Sequence, residues 1–366
     1  MTRQPNSRAF DSLMDRVCVG LGFCGCIKDG EPVHVSDLIP DSGLVTADQF
    51  VDWVFLGDGM DPAAHTTDRW LRIRADIRSA FVEYMGAEAV DAQWLRWSFE
   101  MEGQIRIGVG GWTFEPWRGV FYPDTLKQKD ELGYMSRQLR SIEINGTYYS
   151  SFKPDSWRKW RDETPDGFVF TVKGSRFTTN RRVLAEAGES MGKFFDQGIS
   201  ELGDKLGPVF WQFANSKKFD PDDFSAFLEL LPKSVDGVPL RHAVEVRHDS
   251  FCTPEFPALL RKHNIANVYA DHATYPEIAD VTSDFVYARL QTGSDDVDTA
   301  YAPKDLDRWA GRLKTWAAGG EPADLPKVDP GHLPLAKPRD VFAFIIHEGK
   351  VRAPHGAVAL QTLVDQ

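Results

Sequence analysis

Cysteine is scarce, with four in 366 residues. That excludes a disulfide-dense secreted scaffold and makes a reducing cytoplasm the expected compartment. Long apolar runs are also missing. None approaches the roughly 18–20 residues that cross a bilayer as a helix, and residues 1–6 lack the apolar core of a secretory leader, so no membrane association is expected. Positive charge is in deficit: 42 Lys and Arg face 54 Asp and Glu, for a net charge of −12 and a pI near 5.3. An acidic surface repels phosphodiester backbones, which argues against general nucleic-acid binding. The remaining composition, 42% hydrophobic and 26% charged, is that of a globular protein. The length fits a small domain followed by a large one.

Three of the cysteines, Cys18, Cys24 and Cys26, fall in the first hundred residues with His34 nearby. Their spacing lacks the second Cys pair of a zinc ribbon, and buried small residues beside glycines are the expected role. The run from Gly20 to Gly25 matches a dinucleotide fingerprint in form only. That fingerprint needs a helix straight after the glycines, whereas Asp29-Gly30 follows as a hairpin turn. Thr46 with Gln49 reads as a capping box. Trp70, Ile73, Ile77, Phe81 and Tyr84 recur as one helix face that ends near Gly86, and a last helix is expected over 89–97. Residues 1–100 thus read as a mostly helical accessory domain with a small hairpin, a surface for a protein partner or for self-association.

From Ile105 the pattern changes. Apolar runs at 105–109, 141–145, 168–173, 209–213, 243–247, 267–271, 285–290 and 341–347 alternate with amphipathic stretches. Those stretches lie at 126–139, 156–163, 191–206, 221–231, 254–263 and 304–317. Eight strands alternating with helices predict a parallel sheet, and eight closes a (β/α)8 TIM barrel over 104–366. The crossover after Asp271 is the weakest. The Gly- and Pro-rich stretch at 318–340 should lie on the face opposite the active end.

Strand side chains alternate between faces. Glu143 pairs in parity with Asn145, Thr171 with Lys173, Glu245 with Arg247, and Tyr287 with Arg289 and Gln291. The same count puts Ile345 and His347 together. Because the helix-facing side of a barrel is apolar, these sets are expected to point inward near the carboxyl ends of their strands, where barrel active sites lie.

At this point the residues resemble a known family, the YecE-like proteins or domain of unknown function 72. The matching pieces occur in order: Gly110-Gly111-Trp112 with Trp117, Gly119 and Phe121-Tyr122-Pro123; Ile142 through Tyr149; Trp157 and Trp160; Thr164 through Lys173; Gln212-Phe213; and Val244 through Phe251. The resemblance spans about 104–366 and implies a TIM barrel, with no particular reaction. Two departures stand out. Phe177-Thr178-Thr179-Asn180 replaces a common Ile-Thr-His, and Ile346-His347-Glu348 replaces paired Asn at the last strand.

The strand tips suggest chemistry. Glu143 and Glu245 are candidates for general acid and base. Lys173, Arg247 and Arg289 suit a phosphate or carboxylate group, with Arg176, Arg181 and Arg182 in the loop after the third strand. Asn145, Gln212 and Tyr148 would orient the substrate, and Trp112, Tyr148 and Tyr149 offer stacking faces. The loops after strands seven and eight bring Gly293 and Gly349, where barrels often hold phosphate, although Asp295 and Asp296 oppose it. The expected function is an enzyme (hydrolase, lyase or isomerase) acting on a small anionic, possibly sugar-derived substrate by acid–base chemistry. One alternative is a ligand-binding or scaffold protein whose ion network is structural. Another is a metal-dependent phosphodiesterase or nuclease using Glu143, Glu245, Asp271 and His347. Cys252 has no evident partner as a nucleophile. Lys173 could form a Schiff base, but flanking carboxylates are expected to hold it protonated. No cofactor is indicated.

Overall fold

The computed structural model describes residues 103–334 and 337–366, together with 26–28, 31–33, 44–49, 78 and 89–91. The chain divides into two compact units, Met1–Glu102 and Gly103–Gln366. In the first, Cys26–Lys28 and Glu31–Val33 pair antiparallel, as expected of a small hairpin, and Asp29-Gly30 lies outside the described residues. The capping box forms: Thr46 N donates to Gln49 Oε1 at 2.9 Å and Gln49 N to Thr46 Oγ1 at 3.2 Å. The helix expected from residue 89 begins instead as a strand, Ala89–Asp91, paired antiparallel with Leu44–Thr46. Pairing with a distant segment overrides a weak local helix preference there. The expected helix face Trp70–Tyr84, and Cys18, Cys24 and His34, lie outside the described residues apart from helical Arg78.

In the second unit eight parallel strands close a barrel in sequence order. They are β1 (Ile105–Gly110), β2 (Ser141–Ile144), β3 (Val169–Lys173), β4 (Leu206–Gln212), β5 (His242–Glu245), β6 (Ala266–Asp271), β7 (Phe285–Thr292) and β8 (Asp340–Glu348). Around them lie α1 (Glu131–Met135), α2 (Pro154–Glu163), α3 (Gly188–Phe195), α4 (Pro221–Leu230), α5 (Glu255–Lys262), α6 (Pro303–Ala317) and α7 (Ala353–Val364). The arrangement is a (β/α)8 barrel. Two expected helices are shorter than their patterns. The stretch at 126–139 is helical only over α1 after a 3₁₀ turn. The stretch at 191–206 breaks at Gly198, whose φ of 89° leaves the helical region. No helix joins β6 to β7. The stretch ahead of β8 is tied to that crossover, with Asp280 accepting from Val328 N at 2.8 Å and Asp329 N at 3.0 Å. No described helix is long and apolar enough to cross a membrane.

Two apolar layers result from strands buried on both faces. The outer layer packs strands against helices. The inner one includes Phe210, Val268, Tyr287, Phe342 and Phe344. Below it Arg241 spans the rings of Phe285 and Phe342 and pairs with Asp340 at 2.9 Å, closing the amino-terminal end. Rings and an ion pair thus line the lower end of the barrel, while Glu143, Lys173, Glu245 and Arg289 collect at the other.

The last helix, which the sequence pattern above does not place, is fastened to the first strand by one side chain. Gln361 is buried; its Oε1 accepts from Ile107 N at 3.0 Å and its Nε2 donates to Ile105 O at 3.3 Å. Replacing Gln361 by Leu leaves a buried amide unpaired, a cost of about 1–3 kcal/mol. Urea titration should show a lower midpoint with an unchanged slope.

Candidate functional site

The carboxyl ends of β2, β3, β4, β5 and β7 bring their inward side chains to the barrel axis. Glu143 and Glu245 are fully buried, and Arg289 lies between them with 5% of its surface exposed. Arg289 grips Glu143 with two bonds: Nε to Oε2 and Nη2 to Oε1, each at 3.1 Å. Its Nη1 donates to Glu245 Oε2. Asn145 Nδ2 donates to Glu143 Oε1 at 2.9 Å, and Tyr287 OH to Glu143 Oε2 at 2.7 Å. Gly110 leaves room for this, since a Cβ there would stand 2.9 Å from Asn145 Nδ2. Glu245 Oε1 accepts from Arg247 Nε at 2.5 Å and from Gln212 Nε2 at 2.9 Å. Both carboxylates are therefore committed to donors inside the protein.

Lys173 sits differently. It makes no ion pair within 4 Å among the described residues. Its Nζ donates to Gln212 Oε1 at 2.8 Å, and the rings of Tyr148 and Phe210 lie 4.4 and 5.5 Å away. Gln212 stands between it and Glu245, giving its amide nitrogen to the carboxylate and its oxygen to the amine.

These surroundings set protonation. Burial disfavours the Glu245 carboxylate, but Arg289, then Arg247 and Lys173, outweigh it and hold the group at about 2. Burial also works against the Arg289 charge, yet Glu143 and Glu245 raise its affinity for the proton. Lys173 is lowered to about 8, first by burial and then by Arg289, with the two carboxylates only partly offsetting this. At about 8 the Lys173 amine is still mostly protonated at pH 7, but the guanidinium groups, and not Lys173, hold the carboxylates. Burial and Glu143 push Tyr287 well up, so it stays a phenol.

Other expected site residues lie apart. Trp112 packs edge-on against Trp160 and Phe170 at 5.0 and 6.3 Å, in the outer layer. Asp271 turns off the axis, where its Oδ2 accepts from Thr292 Oγ1 at 2.6 Å and burial raises its pKa. Arg176 is exposed at the rim between the rings of Tyr149 and Phe177. The expectation that Ile345 and His347 point inward is corrected. Ile345 belongs to the outer layer and Phe342, Phe344 and Ile346 to the inner one, because β8 is apolar on both faces and its parity cannot be read from polarity. His347 has a φ of 71°. It is exposed, pairs with Glu348 at 3.1 Å and meets the His272 ring edge-on at 5.6 Å. His272 in turn stacks on Tyr275 at 3.7 Å, and Arg247 lies 4.4 Å over that ring. His272 and Tyr275 stand in a loop without periodicity, so no sequence signal points to them.

Glu143, Glu245, Asp271 and His347 do not converge, and among the described residues no group of three or more His, Cys, Asp or Glu is arranged to hold a metal ion. Beside Gly349, Asp295 Oδ1 accepts from the backbone amides of Val351 at 2.8 Å and Arg352 at 3.3 Å. A carboxylate of the chain itself occupies the place where barrels often seat phosphate. Cys252 is exposed, and partial burial with Asp249 nearby raises its thiol pKa, which disfavours the nucleophilic thiolate.

A closed barrel of eight parallel strands with helices between them defines a TIM-barrel protein. The chain belongs to the family described as Protein of unknown function DUF72, whose model matches residues 106–366. It is 26% identical to the UPF0759 protein YecE of Escherichia coli K12 over 150 residues, 40% of this chain and 50% of that protein. It is also 26% identical to the UPF0759 protein YunF of Bacillus subtilis 168 over 160 residues, 42% and 54% respectively. The chain spans about half the length of these curated relatives. A DUF72 family protein from Thermotoga maritima superposes with a TM-score of 0.53 at 22% identity, over 72% of this chain and 100% of that one. At that identity the likeness shows the fold.

Removing Arg289 strands two buried carboxylates. Arg289→Met should therefore cost at least the ~3–5 kcal/mol typical of breaking one buried pair, and more than Arg247→Met, whose side chain is 20% exposed. Chemical denaturation of both variants checks the order. Glu245 has its folded pKa below the ordinary 4.5, so its contribution is present above that pH and is lost as pH falls toward about 2. The urea midpoint of Glu245→Gln should accordingly change less between pH 4.5 and about 2 than that of wild type.

Proposed function

We infer that this chain is an enzyme that holds a small anionic substrate, phosphorylated or carboxylated, at the barrel mouth and transfers a proton there. One observation carries the reading. The buried cluster sets three cations, Lys173, Arg247 and Arg289, against two carboxylates, Glu143 and Glu245. The surplus positive charge belongs to Lys173, which has no carboxylate partner. In a low-dielectric mouth such a surplus attracts an anion strongly, and Arg176 at the rim adds to it.

The division of labour differs from a simple carboxylate pair. A carboxyl held at about 2 is a poor base at neutral pH, so Glu245 acts by fixing Arg289 and, through Gln212, Lys173, while Glu143, whose oxygens are taken by Arg289, Asn145 and Tyr287, acts by fixing Arg289. Lys173 is the proton-transfer group, since a pKa of about 8 is near operating pH. Arg247 binds the anion, while Asn145, Gln212 and Tyr148 orient it. Saturation of both carboxylates favours the competing scaffold reading, in which the cluster is structural.

Thermal melts separate the two. Glucose 6-phosphate and inorganic phosphate should stabilise wild type at pH 7 while glucose does not. A ligand at about 100 times its Kd adds about 2.7 kcal/mol. The gain should fade from pH 7 to 9 as Lys173 loses its proton near 8, vanish in Lys173→Ala, and persist without that fading in Lys173→Arg. If no anion shifts the melt at pH 7, the scaffold reading stands instead.

A further inference from the structure

We propose that Lys173 captures carbonyl compounds: its Nζ adds to the aldehyde or ketone carbon of a small anionic oxo compound and condenses with it to a protonated imine. The choice of an anionic compound rests on the reading above; the amine chemistry stands on the geometry around Nζ.

An amine kept only for its charge is normally placed against a carboxylate. Here two carboxylates lie in the same cluster, yet both are bound by guanidinium groups, and a neutral amide separates Lys173 from Glu245. The amide direction is fixed, because Gln212 Nε2 donates to Glu245 and only its oxygen is left for Nζ. One of three ammonium donors is thereby used. The remaining neighbours are the faces of Tyr148 and Phe210, which neither accept a proton nor react. Apolar walls and adjacent cations are what make a lysine nucleophilic near neutral pH, and with a pKa of about 8 about a tenth of the amine is free base at pH 7.

The step balances without a further reagent. The nitrogen lone pair forms the N–C bond, and the carbonyl π pair moves to oxygen to give a carbinolamine. The C–O bond then breaks and the oxygen leaves as water with the two protons that nitrogen sheds. Ammonium plus carbonyl becomes iminium plus water, with no change in charge or oxidation level. Such an iminium is an electron sink for a bond at the adjoining carbon, and in this step Lys173 serves as nucleophile in place of its proton-transfer role.

The test uses the full chain, glyoxylate as an anionic aldehyde probe, and cyanoborohydride at pH 7, followed by peptide mass spectrometry. The label should appear at Lys173 before it appears at exposed Lys159 and Lys193, its rate should level off above about pH 8, and phosphate should protect. Lys173→Arg should lose the fast label. Labelling of Lys173 no faster than the exposed lysines in native wild type overturns the proposal, even where phosphate still stabilises the protein. If acetaldehyde labels Lys173 as fast as glyoxylate and phosphate neither protects nor stabilises, the amine chemistry stands and the anion reading falls.

Discussion

The Arg289 guanidinium between Glu143 and Glu245 sets the geometry of the barrel mouth. Its three nitrogens reach both carboxylates at once, which only the planar fork of arginine can do. Burying three ions costs several kcal/mol each before they attract one another, so the cluster is weak evidence for stability. Its consequence is placement. With Glu143 fixed, Asn145 Nδ2 and Tyr287 OH each donate to a different one of its two oxygens. With Glu245 fixed, Gln212 has one orientation, and Lys173 is left to an amide oxygen and two rings.

Most of the barrel was legible because strands buried on both faces are written as apolar, β-branched runs, and parity was legible wherever a polar residue interrupts one face. Glu143, Thr171, Lys173, Glu245 and Arg289 were therefore assigned to the axis from sequence alone. Parity carries no such mark where that contrast is missing. In β8, Val341 through Ile346 are apolar on both faces, so nothing marked which face turns inward, and Ile345 and His347 were given the wrong one. Pairing choices were not legible either. Sequence places three cations and two carboxylates in one mouth, but only distances decide that guanidinium groups win the carboxylates. His272 and Tyr275 come from a loop whose position depends on the whole fold.

Short helices escaped for a related reason. Their ends are set by tertiary contacts and by glycines such as Gly198, and an amphipathic pattern continues past the break. Ala89–Asp91 is the reverse case, three residues with little preference of their own that take strand geometry from Leu44–Thr46.

Asp295 ties two loops together. Its carboxylate accepts from the backbone amides of Val351 and Arg352, just ahead of α7, and so supplies the partner that backbone donors need when no ladder provides one. The loop after β7 thereby finishes the start of the helix after β8, and a change of length or sequence in one loop is felt in the other.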